Sequence, residues 1–461
     1  LALARRRRAR AGALHARALA DPPAMVKRWL SDSLPFTLTG DQAKAIAEID
    51  ADLARSEPMQ RLLMGDVGTG KTVVALYAML RAVEHGCQAA FMAPTETLAE
   101  QHFETLQKLL GSELLGLALL TGSTPAGRRK EILARLESGE LNLIVGTHAL
   151  IEEAVQFREL AVVVIDEQHR FGVAQRSALD KKGTPHVLHM TATPIPRTMA
   201  LANYGDLDFT VLAELPRGRQ PISTRIAATE QERAAAYELV REQLRAGRQA
   251  FVVCPLVEES DALQARAATA EYERLASTEL ADFSVVLMHG QMRPAEKAAA
   301  MAAFAEGKAD VLVATTVIEV GIDVPNATVM LVEDAERYGI SQLHQLRGRI
   351  GRGQHASTCL LFGAKSAVRL QALEREADGF RLAEVDLTLR GEGELVGVRQ
   401  SGAAEFRFAL LPDDAELMER AARYAREVID ADPDLEAPEH ALLSDSLERR
   451  FGAEATAPIR A

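Results

Sequence analysis

The run Gly65-Asp66-Val67-Gly68-Thr69-Gly70-Lys71-Thr72 fits the pattern G-x-x-x-x-G-K-[ST], whose residue types suit a polyphosphate. Glycines let the backbone wrap inward, so that its N–H groups and a following helix N-terminus face phosphate. Lys71 is then placed to reach β- and γ-oxygens, and Thr72 to ligate Mg²⁺. The apolar run Leu62–Met64 before this loop and the amphipathic pattern after it argue against an incidental glycine turn. Hydrolysis needs a further acid, and Ala161-Val162-Val163-Val164-Ile165-Asp166-Glu167 supplies two at the end of a buried strand pattern. Asp166 is expected to hold the metal and Glu167 to orient or deprotonate the attacking water. A charged strand end is the plainer alternative, and proximity to a P-loop weakens it.

Phosphoryl transfer also calls for positive charge where negative charge accumulates on the γ-phosphate. Arg347, Arg349 and Arg352 recur within Gln345-Leu346-Arg347-Gly348-Arg349-Ile350-Gly351-Arg352-Gly353. If Arg349 and Arg352 project into a cleft between two lobes, hydrolysis requires closure, and ATP state becomes movement. A solvated basic helix end is the alternative; the repeated glycines weigh against it.

These groups need rigid elements to position them. From Leu34 to about Leu212, short β-branched runs alternate with helical patterns, with strands expected at Leu62–Met64, Ala89–Met92, Leu143–Val145, Val162–Ile165 and Val187–Met190. Such alternation predicts an α/β lobe, a parallel sheet flanked by helices. Leu215-Pro216-Arg217-Gly218-Arg219-Gln220-Pro221 reads as a linker. A second set of strands follows at Phe251–Val253, Ser284–Leu287, Val311–Ala314, Val329–Val332 and Thr358–Phe362, with helices at Gln231–Ala246 and Glu296–Ala305. The expected division is a basic N-terminal segment (1–30), a first lobe (31–213), a second lobe (214–365) and a smaller, mostly helical C-terminal unit (366–461). Residues 1–20 read as a basic helix, broken at Asp21-Pro22-Pro23.

Bulk properties set the class. A chain of 461 residues suggests about three domains. Its 48% hydrophobic and 26% charged composition is that of a folded globular protein. The net charge of −12 argues mildly against coating nucleic acid by bulk electrostatics alone, so any such contact is expected to be local. Cys87, Cys254 and Cys359 lack C-x-x-C spacing, which supports neither a disulfide framework nor a zinc site and fits a reducing cytoplasm. Apolar runs such as Leu160–Ile165 fall short of the ~20 residues that a membrane helix needs. The start Leu1-Ala2-Leu3 lacks Met, and Arg5–Arg8 are not followed by an apolar signal core, so the chain is expected to begin within a longer protein.

In order and spacing the motifs resemble those of superfamily-two helicases, and within them the RecG family of branched-DNA translocases. Gly65–Thr72 resembles motif I, Pro94–Gln101 motif Ia, Asp166–Gly172 motif II and Thr191-Ala192-Thr193-Pro194 motif III. His289–Met292, Thr315–Asp323 and Gln345–Arg352 resemble motifs IVa, V and VI. The resemblance covers nearly the whole chain. It implies two tandem RecA-like P-loop lobes, with ATP and Mg²⁺ as cofactors. Phe36–Gln42 resembles the Q motif, in which Gln42 grips adenine; a capping box from Thr39 to Gln42 is equally compatible.

The resemblance implies ATP contacts at Gly321 and Asp323, and DNA-phosphate contacts at Thr95, Thr147, Thr191, Thr193 and Thr315. Thr191 and Thr193 also suit a simple hydroxyl-stabilised turn. Asp378–Gly402 resembles the translocation hairpin shared by RecG and the transcription-repair coupling factor, with Arg369, Arg390 and Gln400 at its functional positions. A buried salt-bridge network is the alternative for those arginines. The implied activity is ATP-dependent translocation on branched duplex DNA, forks and Holliday junctions, in repair and recombination. Single-stranded DNA-binding protein is a candidate partner and the expected state is monomeric. The family's N-terminal wedge domain finds no counterpart in this sequence, and residues 1–20 resemble only the helix that connects it. Two further readings are a coupling-factor-like translocase and a nucleotide-gated DNA clamp; Asp166-Glu167-Gln168-His169 and Thr69 favour RecG over the former. The aromatic content of 5% favours grip on duplex backbone over base stacking.

Overall fold

Six consecutive apolar residues, Leu160–Ile165, cannot expose either face of a strand to water, and they form a central strand buried along its whole length. The computed structural model describes residues 15–20, 24–111, 116–167, 182–193, 207–216, 220–254, 261–315, 324–353, 355–395 and 414–451. Among them the chain divides into two compact units, one of residues up to Leu215 together with those from Gly391 onward, the other Pro216–Arg390.

The first unit holds strands β1 (Gln60–Gly65), β2 (Gln88–Met92), β3 (Leu117–Leu120), β4 (Leu143–Gly146), β5 (Leu160–Ile165), β6 (His186–Thr191) and β7 (Asp208–Leu212). They form one sheet in the order β3-β4-β2-β5-β6-β1-β7, with parallel pairing throughout. Helices α1 (Ala24–Arg28), α2 (Gly40–Leu53), α3 (Lys71–Glu84), α4 (Glu96–Leu110) and α5 (Ala126–Ser138) belong to the same unit. Period-two alternation sorts the strand side chains between two cores: Ala89 and Phe91 join the cluster of α2, α3 and α4, while Ala90 and Met92 join Ile132 and Leu136 of α5. The buried Arg61 of β1 bonds Asp52 of α2 at 2.7 Å and Thr210 of β7 at 2.7 Å, locking the P-loop strand to its neighbours.

The second unit repeats the plan with β8 (Ile222–Ala227), β9 (Gln249–Val253), β10 (Val285–Met288), β11 (Val311–Ala314), β12 (Ala327–Val332) and β13 (Ser357–Phe362). Their order is β10-β11-β9-β12-β13-β8, again parallel. Helices α6 (Glu230–Arg245), α7 (Asp261–Ser277), α8 (Pro294–Ala305), α9 (Ile340–Arg347), α10 (Val368–Arg375) and α11 (Gly379–Leu395) accompany it. Further on, α12 (Ala415–Ala431) and α13 (Ala441–Phe451) share a small core of Val428, Ile429, Leu435 and Leu447. Among the described residues no helix is long and apolar enough to cross a membrane.

Every strand expected from the sequence is present, and three more are added: β3, β7 and β8. All three are edge strands; β7 and β8 mix polar with apolar residues, while β3 is an apolar run of only four residues, too short to tell from a helical segment. The second compact unit also runs past residue 365. Leu370 and Leu373 of α10 lie fully buried in its core, and Glu374 accepts a hydrogen bond from Ile226 N at 3.0 Å. Helix α10 therefore packs with the second sheet instead of opening a separate unit.

The expected basic helix over residues 1–20 is not found where the structure describes it. Residues 15–20 are a non-helical strap, because its backbone bonds outward instead of to itself: Ala16 N donates to Ser56 O at 2.8 Å and Leu19 N to Leu53 O at 2.7 Å. Leu19 is fully buried, so this stretch is not a solvated connector. Residues 1–14 lie outside the described residues. His186, at the start of β6, completes the attachment. Its Nδ1 accepts from Met59 N at 3.1 Å, which leaves Nε2–H to donate to Arg17 O at 2.9 Å.

That arrangement uses the neutral ring, and burial holds the His186 pKa below its ordinary 6.5 despite the opposing bond to Arg17 and the charge of Asp52. The unfolded chain therefore binds the proton more readily, so this contribution to stability is complete above pH 6.5 and falls away as pH drops towards the folded-state value. Melting temperature should decline from about pH 6.5 downward, above the range where carboxylates titrate. In thermal melts across this range, His186→Gln should flatten the decline; an unchanged slope would remove His186 as its source.

Candidate ATP site and neighbouring loops

Strand β1 ends at Gly65 and α3 starts at Lys71, so the phosphate-type loop spans the strand–helix junction as its pattern requires. Gly70 takes φ 80° at the N-cap of α3, and a Cβ there would lie 2.3 Å from the Gln42 side-chain nitrogen; only glycine satisfies both demands. The buried Thr69 donates its hydroxyl to Asp66 O at 2.9 Å, bracing the loop from within. Lys71 Nζ donates to Gly65 O at 2.8 Å and Asp66 O at 3.0 Å. Its ammonium thus lies inside the loop, on the carbonyls that line it.

Gln42 serves two purposes with one amide. Its Oε1 accepts from Thr39 N at 2.9 Å while Thr39 Oγ1 caps Gln42 N at 3.2 Å, the capping box that starts α2. Its Nε2 donates to Thr69 O at 2.9 Å. The Q-type segment and the P-loop are therefore fastened together directly.

Asp166 follows β5 and Glu167 follows it with φ 51°, a left-handed conformation that costs a non-glycine residue about 1–2 kcal/mol. Strain of that kind, next to a P-loop, is a feature of functional turns. Asp166 N donates to Met92 O at 2.9 Å, continuing the sheet one residue past β5. Its carboxylate is buried, with Oδ2 bonded to His102 Nε2 at 2.8 Å. Burial pushes the Asp166 pKa up, but the His102 bond and charge, the charge of Lys71 and the Glu167 N–H together hold it below its ordinary value. The group therefore stays an anionic oxygen donor. Thr72 stands in the first turn of α3, and its hydroxyl and the Asp166 carboxylate are both hard oxygen donors of the kind that suit Mg²⁺.

Four more loops leave the same edge of the sheet. Thr95 caps α4 by accepting from Leu98 N at 3.3 Å, and Thr147 follows β4 and caps the turn His148–Ile151. Glu96 Oε1 accepts from Ser123 N at 3.0 Å, fastening the loop after β3 to the start of α4. Thr191 and Thr193 bond each other through their hydroxyls at 2.6 Å, and Thr193 N donates to Thr191 Oγ1 at 3.2 Å. The turn-forming role weighed for this pair is therefore realised. Strand order places β4, β2, β5, β6 and β1 side by side, so Thr147, Thr95, Asp166, Thr191 and the P-loop follow adjacent strands.

In the second unit Thr315 follows β11, buried, with its N–H on Met288 O at 3.3 Å. Arg349 and Arg352 lie half-buried just past α9, and Arg352 Nε donates to Gly348 O at 3.3 Å. Gly353 runs so close to Pro325 that a Cβ would meet its carbonyl oxygen at 2.5 Å. Arg347 differs from its two neighbours. It is 4% exposed and donates to Leu373 O at 2.8 Å, Glu376 O at 2.9 Å, Ala377 O at 3.1 Å and Thr224 Oγ1 at 3.4 Å, and it also contacts His344 Nδ1 at 2.7 Å. Of the three arginines, this one ties α9 to the end of α10. Arg369 lies half-buried in the first turn of α10. Arg390 belongs to α11, but its side chain, like Gly321, Asp323 and Gln400, lies outside the described residues. His102 and Glu96 are the residues that motif reading missed: both sit within or beside Pro94–Gln101, but the strand ends they reach are distant in sequence.

The arrangement has parallels among known proteins. A DEAD/DEAH box helicase model matches residues 39–201, a helicase conserved C-terminal domain residues 232–354, and the C-terminal part of domain 3 of ATP-dependent DNA helicase RecG residues 376–451. The chain is 51% identical over 426 residues to ATP-dependent DNA helicase RecG of Synechocystis, covering 91% of this chain and 51% of that one. It is 48% identical over 432 residues to the RecG helicase of Escherichia coli K12, covering 91% and 62%. A solved structure of RecG bound to a three-way DNA junction aligns with TM-score 0.73 and 41% identity, over 89% of this chain and 54% of that one. The chain thus spans about half to three-fifths of the length of these relatives.

Arg347 provides a test of the structural assignment. Lysine keeps the charge but cannot satisfy the spread of carbonyls reached by the guanidinium fork. Arg347→Lys should destabilise the second unit by about 2–3 kcal/mol in denaturant unfolding. ATP affinity should be unchanged at temperatures where the variant stays folded.

Proposed function

The chain belongs to the RecG family, and on that premise we propose that it is an ATP-dependent DNA translocase and helicase acting on branched duplex DNA. The observation that carries this reading is the carboxyl edge of the first sheet, where Lys71, Asp166 and the hydroxyl-capped loops at Thr95 and Thr147 follow neighbouring strands. In this reading the loop N–H groups cradle the β- and γ-phosphates, and Lys71 exchanges loop carbonyls for phosphate oxygens. Thr72 and Asp166 would hold the metal, and Glu167 would orient the attacking water and receive its proton. Bound Mg²⁺ would offset the charge shared by the β- and γ-oxygens. Arg349 and Arg352 stabilise the charge of the transition state, a role taken from the resemblance. Gln42 couples adenine recognition to the P-loop through Thr69.

DNA contact is local, as a net charge of −12 demands. Helix N-termini and hydroxyls at Thr95, Thr147, Thr191, Thr193 and Thr315 suit phosphate, so the track is gripped without reading sequence. Arg369, Arg390 and Gln400 convert the ATP cycle into movement along duplex. Fork regression and branch migration of Holliday junctions, in repair and recombination, are the corresponding tasks.

ATPase rates of this chain with forks, Holliday junctions, linear duplex and single strands test the reading directly. Branched DNA should stimulate most, and equal stimulation by linear duplex would overturn branch selectivity. Lys71→Ala should abolish turnover on every DNA, a loss of at least about 100-fold.

A second variant separates hydrolysis from movement. Gln400→Ala should retain most DNA-stimulated ATPase while strand displacement on a fork collapses. Loss of both together would assign Gln400 to hydrolysis or folding.

A further inference from the structure

Asp166 has one bond that the P-loop motif does not anticipate. His102 Nε2 lies 2.8 Å from Asp166 Oδ2, and both side chains are largely buried, with 15% and 10% of their surface exposed. An ionised carboxylate can only accept, so the imidazole N–H donates. The ring is held in place by Phe91 of β2, with centroids 4.4 Å apart. His102 therefore fixes one carboxylate oxygen of the metal-binding group.

The helix that carries His102 makes this contact more than a local brace. Helix α4 begins at its Thr95 cap, and Glu96 in its first turn holds the Ser123 loop through a 3.0 Å bond. His102 lies two turns further along, about 10 Å down the axis. Between them Ala99 is fully buried, and Leu106 beyond them is too, so the helix is anchored as a rigid rod. One end of the rod presents N–H groups and a hydroxyl of the kind that bind phosphate; its middle, at His102, fixes the metal carboxylate.

We propose that His102 is a positioning residue for Asp166 that links the metal site to the phosphate-gripping end of α4. Moving or tightening that end changes the orientation of Asp166 through one hydrogen bond, so DNA engagement sets the metal affinity of the ATP site. The metal part stands on the contact itself, and the DNA part rests on the function proposed above.

Two variants of similar bulk separate donation from packing: His102→Gln keeps an N–H donor and His102→Leu does not. With this chain and a fluorescent ADP, Mg²⁺ is titrated to find the concentration that gives half-maximal tightening of nucleotide binding. His102→Leu should raise it about tenfold, the usual cost of losing an outer-shell partner, while His102→Gln recovers much of the difference. Metal-free ADP affinity should be equal in all three proteins, showing an intact P-loop. Fork DNA should lower the Mg²⁺ requirement of the parent and not that of His102→Leu. Equal Mg²⁺ requirements in parent and His102→Leu would overturn the proposal; a lower one in His102→Leu would also, making His102 a competitor of the metal. If no DNA shifts or stimulates the parent, the DNA reading fails, and the metal titration still decides the role of His102.

Discussion

Strands paired in parallel must all deposit their carboxyl ends on one edge of the sheet, and everything assigned to the first unit depends on that constraint. Segments as far apart in sequence as Gly65, Thr95, Thr147, Asp166 and Thr191 emerge along this edge because β1, β2, β4, β5 and β6 run the same way. Sheet order then decides which neighbours they have. Strand β5 lies between β2 and β6, so the acid pair of one motif emerges between the loop that opens α4 and the threonine turn after β6. The buried Arg61 cross-tie at the opposite end of β1 keeps the P-loop strand in register with β7 and α2.

On this frame the ATP site is assembled from shared hydrogen bonds instead of independent residues. One Gln42 amide closes the α2 capping box and holds the P-loop at Thr69. One Asp166 carboxylate meets His102, while the charge of Lys71 helps keep it ionised. Glu167 takes a backbone conformation that would be unfavourable in an ordinary turn, directly after Asp166, whose N–H is held by Met92 O of β2. Such overlap makes a site cooperative: disturbing a partner alters the group that the chemistry uses, without removing it.

The second unit shows how residues of one type within one motif can have different surroundings. Arg347, Arg349 and Arg352 are indistinguishable by composition, but Arg347 is enclosed by carbonyls from the end of α10 and is accounted for by structure alone. The same contacts, with Leu370 and Leu373 in the core, bring α10 into this unit. The arginine spacing gives no hint of this division, because the distinguishing partners lie about 30 residues further on in a helix whose packing a local pattern does not specify.

The amino-acid sequence by itself determined the class of fold, the P-loop, the acid pair and the buried strands, because glycine placement and continuous apolar runs are local consequences of backbone sterics and burial. It also determined the capping box at Thr39 and Gln42, since a cap needs only residues three apart. The edge strands β7 and β8 were not legible because they carry mixed polarity, nor was β3, whose four apolar residues are too short a run to distinguish strand from helix. Nor was the strap at residues 15–20: its composition suits a helix, but burial of Leu19 and bonds to Ser56, Leu53 and His186 outweigh that weak local preference. Tertiary structure alone decided that His102 meets Asp166 and that Arg347 faces α10. Both are contacts between elements, fixed by strand order and helix packing, for which no spacing along the chain provides a code.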